Sequence, residues 1–233
     1  MQRPGWSLNE LAYAGNEHLD PEYVTAYDRK SDTDPTEDLT LLRTLELGET
    51  SVVVDLGAGT GTFALAAAPL CRRVVAVDVS SAMLAALSAK VEQLGLTNVE
   101  VVHAGLLSYE QRGAPADFLY SRNALHHLPD FWKALALKRA AGMLRPGGVL
   151  RLHDLVFSFD PHEAGSTIEA WLAGASERPE DGWTRAELEA HVREEYSTFS
   201  WLLEPMLERA GFDIQEVSYR PSRTYAAYTC VKR

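Results

Sequence analysis

A glycine-rich turn directly after a strand-like run constrains the fold of this chain more than any other feature of its sequence. Residues 51–56 read Ser-Val-Val-Val-Asp-Leu, and the run Gly-Ala-Gly-Thr-Gly follows at once, from Gly57 to Gly61. A strand that is apolar on both faces is typical of a parallel sheet covered by helices. Glycines at alternate positions let the backbone turn sharply and let a ligand approach it closely. The pattern predicts a strand–turn–helix unit with a ligand site at the carboxyl end of the strand.

The rest of the chain alternates short β-branched runs with longer stretches rich in Ala and Leu, as α/β folds with a parallel sheet do. The alternation predicts strands at 51–56, 73–78, 99–103, 117–121, 149–153, 212–219 and 224–231. A short Arg-Pro-Ser-Arg segment separates the last two, which favours an antiparallel hairpin. We therefore predict a doubly wound, Rossmann-like, mostly parallel sheet of seven strands with a C-terminal antiparallel hairpin.

No linker rich in Pro, Gly or Ser divides the chain, so we predict a single domain over residues 1–233. Two regions fit the alternation poorly and look helical, and we predict an N-terminal helical lid over 1–33 and a helical insertion over 155–199. Within the insertion, Thr184 opens a capping-box pattern, and Leu188, Val192 and Tyr196 predict a core-facing stripe. The cluster 146–148, Pro-Gly-Gly, predicts the end of a helix.

The charge balance limits the partners. A formal net charge of −11 disfavours binding to nucleic acid and to anionic lipid. The N-terminus lacks a secretory signal pattern, and no apolar run approaches the roughly 20 residues needed to span a bilayer. Cys71 and Cys230 have no metal-like spacing and are expected to be free thiols. We expect a cytoplasmic protein that acts on a small molecule; the sequence does not specify an oligomeric state.

A second acid indicates which ligand the glycine turn holds. Asp78 ends the second predicted strand about 20 residues beyond Gly57, where a carboxylate can bind ribose hydroxyls. The dinucleotide fingerprint needs a third glycine where this chain has Thr62. Asp55 lies two residues before Gly57, and an acid there disfavours a pyrophosphate and suits a ligand with an ammonium or sulfonium group.

Over roughly residues 40–233 these features resemble the class I S-adenosylmethionine-dependent methyltransferases. The resemblance implies S-adenosyl-L-methionine as cofactor, S-adenosyl-L-homocysteine as product, and in-line methyl transfer. Residues 121–129 resemble the motif after strand four, which faces the methionine end and the acceptor. The cofactor-binding residues that the resemblance implies are Asp55, Gly57, Ala58, Gly59, Gly61, Asp78, Val79, Met83, Gly105, Leu106, Ser121 and, from the lid, Tyr27.

The chain departs from the family after the third strand. Many members carry an aspartate there that bonds the adenine amino group, whereas this chain reads His-Ala-Gly-Leu over 103–106. We therefore expect adenine contacts from the backbone near Gly105 or from Ser108.

Three residues are candidates for the chemistry. His126 or His127 is a candidate general base, since the pKa of histidine suits that role, and Asp154 is a candidate acceptor-orienting group. The alternatives are a structural histidine at a helix start and an ordinary strand-end acid. Adjacent helical histidines point about 100° apart, and the chain lacks H-x-x-x-H or H-x-H spacing, so we predict no metal site. Methyl displacement from a sulfonium needs alignment and exclusion of water, so a mechanism without a base also stays open.

Only the absence of certain motifs limits the class of methyl acceptor. The chain lacks a Pro-Cys nucleophile and an Asn-Pro-Pro-Tyr-like motif, which argues against cytosine-ring, adenine and protein-amide methylation. A small-molecule acceptor is left. Two other functions stay open, a nicotinamide-dependent dehydrogenase and a nucleoside- or S-adenosylmethionine-binding protein without turnover.

Overall fold

The computed structural model describes residues 4–15, 24 and 34–233. Its strands are β1 (Val52–Leu56), β2 (Arg73–Asp78), β3 (Val99–His103), β4 (Ala116–Arg122), β5 (Leu144–Asp154), β6 (Val156–Phe157), β7 (Thr198–Phe199), β8 (Phe212–Tyr219) and β9 (Ala226–Lys232). Its α-helices are α1 (Thr36–Thr44), α2 (Thr62–Ala67), α3 (Ser81–Leu94), α4 (Asp130–Met143), α5 (Ala164–Leu172), α6 (Arg185–Glu194) and α7 (Ser200–Ala210).

The predicted seven-stranded sheet is confirmed, with the strand order β3-β2-β1-β4-β5-β9-β8. Strands β1 to β5 run parallel, and β9 is antiparallel to both β5 and β8, as the hairpin prediction requires. The order reverses between β1 and β4, which lie side by side although two strands separate them in sequence. A crevice opens at the carboxyl ends of strands at such a point, and ligands of open α/β sheets bind there.

Helices cover both faces of the sheet. Successive strand residues point to opposite faces, and Val53 and Val54 accordingly pack into two different hydrophobic clusters. The cluster around Val54 includes Leu203 and Leu207 of α7. The opposite cluster includes Leu42 of α1 and Leu87 of α3. Every residue of β1 is buried, as an apolar central strand between two helical layers must be.

Sequence signals located several helix ends. A capping box forms at Thr184 as predicted, and a second one forms at Asp160. The helix before the Pro-Gly-Gly cluster ends at Met143, close to the predicted end, and Leu144 already pairs with Ala116 of β4. Residues 146–148 therefore lie inside β5, at a point where its register against β4 shifts. Gly147 takes the left-handed conformation there (φ 73°), which suits such an irregularity.

The region 155–199 contains the two expected helices, α5 and α6, and also strands that the sequence did not predict. Strands β6 and β7 pair in parallel as a second, two-stranded sheet. Strands of two residues are too short to show a periodic pattern, which is why these two were not predicted. This pairing brings the beginning and the end of the region 155–199 together.

The predicted core-facing stripe on α6 was wrong. None of the residues of this helix is buried, and Val192 and Tyr196 are 38% and 40% exposed. Leu188 and Tyr196 instead line a large cavity. Trp201 of α7 is also exposed.

The described part of the predicted lid is short. It contains one 3-10 turn, Glu10–Tyr13, and most of 1–33, including Tyr27, lies outside the described residues. Cys71 and Cys230 are free and buried, in agreement with the sequence prediction. Within the described ranges, no helix combines the length and apolarity that crossing a bilayer requires.

Candidate active site

The glycine turn between β1 and α2 is held against the end of β2. The backbone N–H groups of Gly57 and Ala58 both donate to the carbonyl of Val77, at 2.8 and 3.0 Å. Gly61 has φ 90°, and a Cβ atom there would lie 2.1 Å from Leu87 Cδ1. A side chain at this position would therefore strain the backbone and clash with the core.

Asp78 links the glycine turn to the start of α3. One oxygen of its carboxylate accepts from the backbone N–H of Gly59 at 2.8 Å, and the other from Ser80 N–H at 2.8 Å. Asp78, at the end of β2, is thus in direct contact with Gly59, the second glycine of the turn.

Asp55 is a buried carboxyl group at the carboxyl end of β1. It is 2% exposed, and its Oδ2 atom has no hydrogen-bond partner among the described residues. Burial and, to a smaller extent, the charge of Asp78 raise the pKa of Asp55 to about 8, against the opposing effect of a hydrogen bond from the backbone amide of Ala64. A buried acid with an unpartnered oxygen is suited to binding a cationic group.

Seven of the predicted cofactor residues line one cavity, together with Glu10, Ala14, residues 122–124, His127 and Leu128. The seven are Gly57, Gly59, Asp78, Val79, Met83, Gly105 and Leu106. The cavity measures about 80 Å³, with residues of the N-terminal segment in its wall. We call it the nucleoside cavity.

The other predicted cofactor residues within the described part of the chain do not line this cavity: Asp55, Ala58, Gly61 and Ser121. Ser121 is buried, and its hydroxyl donates to the carbonyl of Leu56 at 2.8 Å. In this structure the Ser121 side chain therefore joins β4 to β1.

The turn after β4 carries the two adjacent histidines. His126 is buried, its Nδ1 lies 2.5 Å from Asp154 Oδ1, and its backbone N–H donates to Asp154 Oδ2 at 3.1 Å. Its Nε2 lies 3.2 Å from Glu195 Oε2. Burial alone would lower the pKa of His126, but Asp154 and then Glu195 more than offset it, so the pKa is raised.

Asp154 and its neighbour His153 face different partners, as alternation along β5 requires. Asp154 holds His126, whereas His153 Nε2 lies 2.7 Å from Asp38 Oδ1. Asp38 also accepts from Arg151 Nε at 2.8 Å, and these contacts hold the pKa of Asp38 well below its usual range despite its burial.

Glu195 and His191 are residues of this cluster that sequence reasoning missed. Glu195 contacts both His126 and His191. Candidate ligand atoms of His126, His127 and Glu195 lie within 4.8 Å of one another. Because Glu195 lies far along the chain and the pair of histidines gave no metal-like spacing, only folding brings these groups together. The absence of a metal site remains a prediction.

A second, larger cavity of about 1010 Å³ adjoins the same turn. Its wall combines the turn after β4 with α5, α6 and the loop before β9. Several aromatic residues line it: Tyr13, Trp171, Trp183, Tyr196 and Tyr225. Arg122, Asn123 and His127 line both this cavity and the nucleoside cavity.

Comparison with known proteins places this geometry in a family. A family model described as a methyltransferase domain matches residues 53–148. An uncharacterized methyltransferase of Mycobacterium tuberculosis is 31% identical over 163 residues, which cover 62% of this chain and 77% of that protein.

Solved structures share the fold at low identity. A SAM-dependent methyltransferase from Aquifex aeolicus superposes with a TM-score of 0.62 at 19% identity, covering 92% of this chain and 99% of that one. Phosphoethanolamine N-methyltransferase 2 of Haemonchus contortus, in complex with S-adenosyl-L-methionine, gives 0.72 at 17% identity, covering 99% of this chain and 61% of that one. With the sheet order and the glycine turn described above, these matches show that the chain belongs to the class I S-adenosylmethionine-dependent methyltransferase family.

Proposed function

We propose that this enzyme transfers a methyl group to a small molecule held in the 1010 Å³ cavity, from a cofactor held in the nucleoside cavity. The observation that carries the proposal is that Arg122, Asn123 and His127 line both cavities. Methyl transfer needs the acceptor atom, the methyl group and the sulfur in line, so donor and acceptor sites must adjoin. The shared wall lies at the carboxyl end of β4, beside the order reversal of the sheet.

Residues of the chain fit the cofactor that the family uses. Bound S-adenosylmethionine supplies a methyl group already activated by a positive sulfur. Asp78 would bind the ribose hydroxyls, and Val79 and Met83 would flank the base. Asp55, with its buried and unpartnered oxygen, would attract the positive methionine end. Gly57 and Gly59 expose backbone at the cavity wall, where a side chain would take up space.

His127 is the better candidate for a base, if the acceptor must lose a proton. His126 is buried between two carboxylates that favour its protonated form, so it is suited to ordering the turn. Asp154 then acts on His126 and orients the turn rather than the acceptor. His127 is only half-buried and lines both cavities, so it can reach an acceptor group.

A small molecule is the acceptor class that the properties of the chain favour. The cavity is at the upper end of the size range of small-molecule sites, and five aromatic residues contribute to its wall. The net charge of −11 disfavours a nucleic acid substrate. The comparisons favour neither a dehydrogenase nor a binding protein without turnover.

Calorimetric titration followed by a transfer assay tests the proposal. We expect the wild type to bind S-adenosylmethionine and not NAD, and to label members of a small-molecule panel from methyl-labelled cofactor. Asp78→Ala removes both ribose-binding oxygens and should weaken cofactor binding about 10- to 100-fold. Asp181→Ala, at an exposed site outside both cavities, is the matched control.

His127→Ala separates a role of this residue in chemistry from a role in cofactor binding. If His127 acts as a base, the variant should keep cofactor affinity and lose about 100-fold or more in kcat. Binding of NAD in place of S-adenosylmethionine would overturn the proposal. Cofactor binding without transfer to any acceptor would favour the protein without turnover.

A further inference from the structure

Glu10 is a buried carboxylate in a segment distant in sequence from every other part of the site. It begins the 3-10 turn Glu10–Tyr13 and is only 6% exposed. Its carboxylate accepts from the backbone N–H of Leu107 and from the hydroxyl of Ser108, both at 2.8 Å. Burying a charged group is costly unless hydrogen bonds compensate it. The hydrogen bonds from the loop after β3 therefore help to hold the Glu10 carboxylate in its buried position.

Gly105 explains how Glu10 fits there. A Cβ atom on Gly105 would lie 2.2 Å from Glu10 Oε2, so the carboxylate occupies the space in which a side chain of residue 105 would begin. This stretch, 103–106, is the one that carries no acid of its own. The fold therefore places a carboxylate from residue 10 where the local sequence lacks one.

The same carboxylate lines the nucleoside cavity together with Asp78, Val79, Gly105 and Leu106. The loop carrying Gly105 follows β3, and β3 pairs with β2, which ends in Asp78. In the sheet, β2 lies between β1 and β3. The base of a nucleoside whose ribose is bound at Asp78 therefore points toward the end of one of these two strands, and Glu10 lies at the end of β3. A carboxylate accepts up to about four hydrogen bonds, so binding to the loop is compatible with binding an amino group of a ligand.

We propose that Glu10 is a specificity-determining residue that selects adenine by accepting a hydrogen bond from the exocyclic amino group of the base. The proposal rests on the proposed function, since it assumes that the nucleoside cavity holds the cofactor. A carboxylate is an acceptor only, so it favours an amino group at this position and repels the carbonyl oxygen of a 6-oxopurine. The N-terminal segment would then take part in reading the cofactor as well as covering it.

The test compares two ligands that differ at this one group. S-adenosyl-L-homocysteine carries the amino group, and its inosine analogue carries a carbonyl oxygen instead. We expect the wild type to prefer the adenine form about 10- to 100-fold in calorimetric titration. In Glu10→Ala the affinity for the adenine form should fall, and the preference should shrink to within about 3-fold. In Glu10→Gln, whose amide also donates, the preference should narrow as well.

The ratio of the affinities for the adenine form and the inosine analogue distinguishes recognition of the base by Glu10 from a purely structural role. If Glu10 only anchors the segment, Glu10→Ala weakens both ligands equally and leaves the ratio unchanged, which would overturn the proposal. Glu110→Ala, an exposed acid close to the same loop, is the matched control and should leave both affinities unchanged. If the wild type binds neither ligand, the proposed function itself is wrong.

A rescue variant keeps the test independent of misfolding. Gly105→Asp in the Glu10→Ala background returns a carboxylate to the loop, because the alanine removes the clash with Glu10. The new side chain must still displace Val79 Cγ1, which would lie 2.6 Å from its Cβ. Restored adenine preference in the double variant supports recognition by a carboxylate at this place. A double variant that folds, binds the ligands and shows no preference would count against it.

Discussion

At the scale of single residues, the candidate site is a set of buried polar groups whose partners come from elsewhere in the chain. Asp55 and Asp78 lie close enough for the charge of one to raise the pKa of the other. His126 is held between Asp154 and Glu195. Such groups reduce the stability of the free protein when their charge is uncompensated, and they supply binding energy when a ligand compensates it.

Asp55→Asn should stabilise the free protein while abolishing cofactor binding. The folded-state pKa of Asp55 is raised to about 8, so between about pH 4 and pH 8 the folded state holds a proton that the unfolded state releases. Rising pH across this window therefore favours unfolding. The amide cannot ionise, so the variant should gain stability most clearly near pH 8.

Urea unfolding of both proteins at pH 4.5 and pH 8 measures this effect. The difference in unfolding free energy between variant and wild type should grow with pH. A difference that stays constant or shrinks would contradict the raised pKa. Asp181→Asn, at an exposed position, should show no such trend.

At the scale of elements, helix α6 lines the large cavity and contributes little to the core. None of its residues is buried, yet Leu188 and His191 line the large cavity and Glu195 follows its last turn. The backbone N–H of Tyr196 donates to the carbonyl of His126 at 2.9 Å, which ties the end of α6 to the turn after β4. Local order of this helix should therefore matter more for acceptor binding than for global stability.

Thr184→Ala tests this division. The Thr184 hydroxyl accepts from Glu187 N–H in the capping box, and losing such a cap costs about 1 kcal/mol of helix stability. We expect faster hydrogen exchange in α6 and a higher KM for the acceptor, with cofactor affinity unchanged. Glu189→Ala, in the middle of the helix, leaves the cap intact and serves as control. A loss of cofactor affinity as large as the rise in KM for the acceptor would show that α6 also supports the cofactor site.

At the scale of the whole molecule, the nucleoside cavity draws its walls from the N-terminal segment and from loops after β1, β2, β3 and β4. A ligand there contacts elements on both sides of the order reversal and should stabilise the sheet as one unit. Cofactor at about 100 times its Kd should raise the unfolding free energy by about 2.7 kcal/mol.

Thermal unfolding with and without cofactor checks this expectation. A single transition that moves upward as a whole fits one cooperative domain over residues 1–233. Two transitions, of which only one moves, would instead separate the region 155–199 from the sheet. Asp78→Ala, which should bind cofactor about 10- to 100-fold more weakly, should reduce the gain to about 0.4–1.4 kcal/mol at the same cofactor concentration.

The local sequence predicted much of the fold because its signals are local. Two-sided apolar runs predict central strands, and Gly57 to Gly61 predict the turn, since both patterns follow from backbone geometry and burial within a few residues. Asp78, predicted at the end of the second strand, lines the nucleoside cavity. The predicted core-facing stripe on α6 was wrong, because helical periodicity shows that a face is apolar and not what covers it.

The sequence by itself determined the α/β class, the sheet with its terminal hairpin and the strand-end acids. Only the tertiary structure decided which distant groups meet. It brought Glu195 to His126, turned His153 toward Asp38 and Asp154 toward His126, and put the Glu10 carboxylate in the space beside Gly105. The physical reason is that a contact between residues far apart in the chain depends on how whole elements pack, and no pattern within either segment records that packing.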